Sequence, residues 1–180
     1  DYEISMKEND RSYLLKEHVE TLLFHTPTKE RYELVKDLFI FSCFTGLSYI
    51  DIKKLKKSNI QSFFDGHEWI ISRRQKSDVA SNVRLMEIPK RLIEKYAGIT
   101  RNDFIFPVPT NKICNSYIDK LIQEVEIITE QKVTFHTARH TFGTMFLTEG
   151  VPLESLSKMM RHKNISTTQI YAKITSQKIS

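Results

Sequence analysis

The sequence predicts a mostly helical domain carrying one small antiparallel β-hairpin, an α+β architecture in which helices dominate. Three observations support this. Apolar residues recur at helical spacing along most of the chain. One polar segment around Lys76 is flanked by alternating, β-branched stretches. No linker, repeat or low-complexity tract divides the 180 residues. Hydrophobic residues make up 40% and charged residues 27%, a soluble globular balance rather than that of a disordered chain. Residues 1–180 are thus expected to form one domain large enough for a real core.

The elements follow in chain order. "SYLLKEHVETLLFH" places Leu14, Leu15, Val19, Leu22 and Leu23 on one helical face, with Ser12 as a candidate cap. "TPTKERYELVKDLFIFSCFTG" predicts a buried helix from about Lys29 to Phe44 that stops at Gly46. A short helix over Tyr49–Leu55 runs into the basic cluster "KKLKKSN". Then "GHEWIISRRQKSDVASNVRLMEIP" predicts the hairpin, with Lys76 at its tip. "KRLIEKYAGI" and "NKICNSYIDKLIQEVEII" predict two helices around the loop "TRNDFIFPVPT". A helix over Thr137–Thr148, a break at "EGVP", a helix over Leu153–Met160 and a last short helix from Ser166 complete the chain.

Net charge is +5 and the isoelectric point is about 9.1, which favours a polyanionic partner. Cys43 and Cys114 lack metal-type spacing and read as small buried apolar residues of a reducing compartment. No apolar run approaches a membrane span, and no signal peptide opens the chain. Asp1 stands where an initiator Met would, and the chain stops nine residues after Tyr171. A fragment of a larger protein is expected.

"FHTARHTFGTMF" carries the chemistry. His136, Arg139 and His140 stand at i, i+3 and i+4 and share one helical face, while Phe142, Met145 and Phe146 turn to the core. Histidines at that spacing suggest zinc. The glutamate base of H-E-x-x-H is missing, however, and the Arg139 guanidinium would oppose the metal. A cation flanked by hydrogen-bond donors suits an oxyanion, phosphate above all. From these residues alone, a surface arginine beside two core histidines remains an equal alternative. Further along, His162 follows a helix in a loop, with Lys163 and Asn164 after it. Ser166 is a candidate cap that would put Tyr171 on the second turn of the last helix.

"H-x-x-R-H", a helix and then "H-x(8)-Y" resemble the C-terminal signature of the tyrosine recombinases, the phage-integrase family. "FTGLSYIDIKKLKKSNI" resembles the family's first box, and "RRQKSDVASNVRLMEIP" its hairpin. The resemblance runs from about residue 10 to 175. It implies the integrase catalytic-core fold, here as a C-terminal catalytic domain without its N-terminal core-binding domain. It also implies cleavage and rejoining of DNA strands through a 3′-phosphotyrosyl intermediate, with no cofactor, neither metal nor ATP. Tyr171 would be the nucleophile and Arg139 the clamp on the phosphate oxygens. His136 and His162 would donate to the phosphate and help manage the tyrosine proton. Lys76 would be the general acid, and His140 would support. The partner would be double-stranded DNA, gripped as a homotetramer by a protein whose isolated fragment is monomeric. The setting would be the bacterial cytoplasm, at the nucleoid and not at a membrane. Lys53, Lys54, Lys56, Lys57, Arg73, Arg84 and Lys163 would track backbone phosphates.

The resemblance departs from the family at Ser48. The family's box reads Thr-Gly-Leu-Arg, whereas this chain reads Thr45-Gly46-Leu47-Ser48, with Asp51 retaining the acidic position. A hydroxyl cannot replace a bidentate guanidinium. Arg74 is the expected substitute, because period-2 alternation puts it on the same strand face as Lys76. Serine at this position also resembles integrases of Bacteroides-type conjugative and mobilisable transposons. A type IB topoisomerase, a non-catalytic DNA-binding module and, more distantly, a metallohydrolase stay open as alternatives.

Overall fold

A computed structural model describes residues 12–73 and 80–173 of the chain. The helices are α1 (Lys16–Phe24), α2 (Glu33–Thr45), α3 (Tyr49–Lys53), α4 (Glu87–Lys95), α5 (Asn111–Glu124), α6 (Phe135–Thr148) and α7 (Leu153–Met159). The strands are β1 (Ile60–Ser62), β2 (Glu68–Arg73) and β3 (Ala80–Arg84), in the order β1-β2-β3 with both pairings antiparallel.

The centre of the fold is α2. Its sequence "ELVKDLFIFSCFT" is apolar nearly all round, the signature of a helix with no solvent face, and ten of its residues are buried. It packs against α1, α4, α5 and α6. Each fully buried Leu, Ile or Phe contributes about 1.5–3 kcal/mol, so this one helix contributes much of the driving force. It ends at Gly46, whose φ of 72° is left-handed and whose amide donates to Ser42 (2.8 Å). A Cβ there would stand 2.6 Å from the Phe142 ring, so only glycine lets α2 turn against α6. A second, smaller apolar cluster joins Phe142, Met145, Phe146, Leu156, Met160 and Ile170 to the Tyr171 ring. Cys43 and Cys114 are both buried; burial pushes the Cys43 thiol far up and the Cys114 thiol up to about 11.

Several element boundaries differ from expectation. Ser12 does not cap α1, which starts at Lys16. The preceding Leu14 amide instead donates to Thr141 Oγ1 on α6 (2.9 Å), a tertiary anchor that holds the chain extended. The expected helix from Lys29 opens as a 3-10 turn over Glu30–Tyr32 before α2 begins. The hairpin gains a third strand, β1, only three residues long and largely exposed. Ser166 is not a cap: Asn164 Oδ1 accepts from the Ser166 amide (3.1 Å) and opens a 3-10 turn over Ile165–Thr167, after which residues 169–173 are helical.

One polar cluster lies within the core. Asp37, on α2, accepts from Tyr96 Oη (2.6 Å) and Lys95 Nζ (2.7 Å), and Glu33 accepts from the same lysine (2.8 Å). Burial raises the Glu33 carboxyl, but the Lys95 hydrogen bond and the charges of Lys36 and Lys95 outweigh it and leave the group below its ordinary value. Burial lowers Lys95, but its bonds to Asp37 and Glu33 outweigh that and leave it raised. Glu33 therefore contributes stability above its unfolded pKa of about 4.3, lost as pH falls through the lower folded value. Lys95 contributes below about 10.4, lost as pH rises through its higher folded value. Thermal melts are expected to show a plateau between those limits and a fall in acid that Glu33→Gln weakens. Asp37→Ala strands the Tyr96 hydroxyl and is expected to cost about 2–3 kcal/mol by urea denaturation.

Candidate functional site

The site is assembled around α6. Thr137 Oγ1 accepts from the Thr134 amide (3.0 Å) and fixes the helix start, so His136, Arg139 and His140 rise from its first turns. The His136 and His140 rings meet edge-on at 4.5 Å, with His136 exposed and His140 buried. Arg139 is buried. Its Nη1 donates to the Gly46 carbonyl (2.6 Å) and its Nη2 to the Met160 carbonyl. One guanidinium thus pulls the end of α2 and the end of α7 onto α6.

Tyr171 comes to the same helix. Its hydroxyl is 2.8 Å from His140 Nδ1, and its ring lies flat enough on Gly143 that a Cβ there would stand 2.7 Å from it. Gly143→Ala removes a helix-breaking glycine, normally a gain of up to about 1 kcal/mol. Here overpacking against the tyrosine is expected to reverse the sign, for a net loss of about 1–2 kcal/mol in thermal melts. His162, half-buried, holds Thr168 Oγ1 at 2.5 Å through Nδ1 and so ties the loop after α7 to the turn that precedes Tyr171.

Ser48 caps α3: its Oγ accepts from the Asp51 amide (3.4 Å) and donates to Asp51 Oδ2 (2.8 Å). The opposite carboxylate oxygen, Oδ1, pairs with Arg161 Nη1 at 3.3 Å, and Arg161 Nη2 donates to Ser72 Oγ on β2. The sequence reading passed over both Arg161 and Ser72. The basic residue directly before His162 is the available signal, but its partners are 110 and 89 positions away. Arg74 and Lys76 lie outside the described residues, as does the Arg73 side chain; the Arg73 backbone closes β2 opposite Ala80.

The cations expected to follow a nucleic-acid backbone sit at the surface. Lys53, Lys54, Lys56, Lys57 and Lys163 are exposed, and the exposed Arg84 guanidinium meets the His67 ring at 3.0 Å. Lys53 and Lys54 join Arg101, Ile50, Phe104 and Pro107 around an open groove of about 560 Å³. Among the described residues no three His, Cys, Asp or Glu side chains cluster as a metal site, and no helix is long and apolar enough to cross a membrane.

The arrangement brings a buried guanidinium, three imidazoles and a phenol to one helix and the loops it holds. A guanidinium and imidazoles can hold an oxyanion, and a phenol beside an imidazole can lose its proton and act as a nucleophile. The chain is 29% identical over 158 residues to tyrosine recombinase XerA of Thermococcus onnurineus (strain NA1), covering 83% of this chain and 53% of that protein. It spans about half the length of curated relatives of this kind. Its fold superposes on the XerH site-specific recombinase bound to palindromic difH substrate in a post-cleavage complex. That match has a TM-score of 0.72 at 20% identity, over 93% of this chain and 51% of that one. It also superposes on the Tn1549 transposon integrase in complex with transposon right end DNA, with a TM-score of 0.69 at 16% identity, over 89% and 61%. Residues 12–178 match the phage integrase family, and the chain belongs to it.

Proposed function

We propose that this chain is the catalytic domain of a site-specific DNA recombinase. The observation that carries the reading is the Arg139 bridge. By bonding the carbonyls of Gly46 and Met160, it gathers the first box and the loop bearing His162 onto the helix whose His140 holds the Tyr171 hydroxyl.

The reaction is a pair of transesterifications. The Tyr171 oxygen bonds to the scissile phosphorus, the bond from phosphorus to the 5′-oxygen breaks, and Lys76 gives that oxygen its proton. The phenolic proton leaves through the imidazoles, His140 being its neighbour at rest (2.8 Å). Arg139, His136, His162 and Arg74 neutralise charge that grows on the phosphate, which stabilises the transition state more than the ground state. Rejoining reverses the steps, and the phosphotyrosine keeps the energy of the broken diester. Tyr171 is only 2% exposed, so attack requires the segment over 165–173 to shift outward when DNA binds.

Double-stranded DNA is the substrate, held by Lys53, Lys54, Lys56, Lys57, Arg73, Arg84 and Lys163 through salt-sensitive phosphate contacts. A homotetramer on paired sites in the bacterial cytoplasm would exchange strands, while the domain alone would be monomeric. Serine at position 48 and the likeness to a transposon integrase support a mobile element as the source. The test is covalent capture on nicked suicide duplexes randomised across both arms, in EDTA and without ATP. The expected result is a protein–DNA adduct stable to denaturant. Strand cleavage that leaves only free ends, or that needs added metal, contradicts the reading.

A further inference from the structure

The short segment after α7 poses a question that the reaction above leaves unanswered. Helix α7 ends in a Schellman-type turn: the His162 amide donates to Ser157 O (3.0 Å) and the Arg161 amide to Lys158 O (3.1 Å). Arg161 thereby occupies the position where helices favour glycine, and its φ is 58°, in the left-handed region that costs an L-residue with a side chain free energy. Backbone preference does not explain arginine here, so its side chain must. That side chain is not in solvent. It is 3% exposed and reaches back across the fold to Asp51 Oδ1 (3.3 Å) and to Ser72 Oγ.

The partners show what it joins. Asp51 holds Ser48 through its other carboxylate oxygen (2.8 Å), so the Arg161 guanidinium is one carboxylate away from the side chain that stands where the family has arginine. Ser72 lies on β2 two positions before Arg74, so the same guanidinium fixes the strand that leads into the hairpin. The residues on either side bind elsewhere: the Met160 carbonyl takes Arg139, and His162 takes Thr168. Three consecutive residues therefore tie the arginine helix, the first box with the hairpin strand, and the segment bearing Tyr171.

We infer that Arg161 is a positioning residue for strand cleavage: its buried guanidinium braces Asp51 against Ser72 and sets the hairpin strand in register with the first box, which Ser48 alone cannot do. The inference rests on the recombinase reading and deepens it. A guanidinium suits the task because its planar fork reaches two acceptors at fixed angles, whereas an ammonium cannot match both.

The test uses a duplex captured from the randomised suicide library, with Arg161→Gly, Arg161→Lys and Ser72→Ala beside the unaltered protein. Glycine fits the left-handed backbone, which offsets part of the cost of leaving Asp51 unpaired, so Arg161→Gly is expected to stay folded with a lowered melting temperature and to keep its DNA affinity within about threefold. Its single-turnover rate of adduct formation at saturating DNA is expected to fall at least about tenfold. Arg161→Lys should recover part of that rate, and Ser72→Ala should lose a smaller part with the fold intact. The brace is overturned by Arg161→Gly and Ser72→Ala both cleaving at the unaltered rate. It is equally overturned by rate, affinity and melting temperature falling together in both, which would make the contact merely structural. Either result leaves the recombinase reading standing if the unaltered protein forms the adduct; no adduct from that protein sinks both.

Discussion

Tyr171→Phe is expected to abolish the covalent protein–DNA adduct while leaving DNA binding and the fold in place. The substitution deletes one oxygen. The ring stays in the cluster of Phe142, Met145, Leu156 and Ile170, so packing is preserved. What is lost from the fold is the bond to His140, a buried contact of 2.8 Å whose removal costs about 1 kcal/mol. What is lost from the chemistry is the proposed nucleophile. Denaturing gels after incubation with the captured suicide duplex read the first effect, and mobility shifts and thermal melts read the second. An adduct formed by Tyr171→Phe at the unaltered rate would remove Tyr171 from the mechanism.

Arg139→Ala is expected to lower the single-turnover rate by roughly 10³-fold, the scale on which a preorganised donor to a developing oxyanion acts. It should also weaken the fold, because the Gly46 and Met160 carbonyls lose their donor in a buried setting, at about 1–3 kcal/mol each. Arg139→Lys separates the two effects. An ammonium can satisfy one carbonyl and keep the charge, so stability should partly return, but bidentate geometry is gone and the rate should stay low. Full recovery of rate by lysine would show that charge, and not the fork, is what the reaction uses.

Much of this arrangement was legible in the chain, and the parts that were not share a cause. The buried helix α2 announced itself through an apolar run on every face, and its stop at Gly46 through the left-handed freedom that glycine alone supplies there. The shared face of His136, Arg139 and His140 is an expectation of helical spacing; in the structure the two imidazole rings meet edge-on and Arg139 donates to the Gly46 carbonyl. Strand β1 escaped notice because three residues cannot display an alternation. Ser12 looked like a cap by composition, yet α1 starts later because Thr141 claims the Leu14 amide from 127 positions away. Arg161 was passed over for the same reason. Its place directly before His162 is the one local hint, whereas its partners, Asp51 and Ser72, lie on distant elements. Local periodicity and turn chemistry are written in neighbouring residues, whereas anchors of this kind exist only once the chain has folded.

The resting contact of the nucleophile was equally invisible. The family resemblance implies that His136 and His162 help manage the Tyr171 proton, while in the structure the hydroxyl rests on His140. Position 140 therefore merits the same substitutions as its neighbours.

The proposed reaction bonds the Tyr171 oxygen to DNA phosphorus. Digesting the trapped adduct with protease and nuclease, then sequencing the modified peptide by mass spectrometry, measures this directly. A nucleotide remnant is expected on the tryptic peptide "NISTTQIYAK", localised to Tyr171. A remnant on any other side chain, or an adduct that vanishes on denaturation, would contradict it.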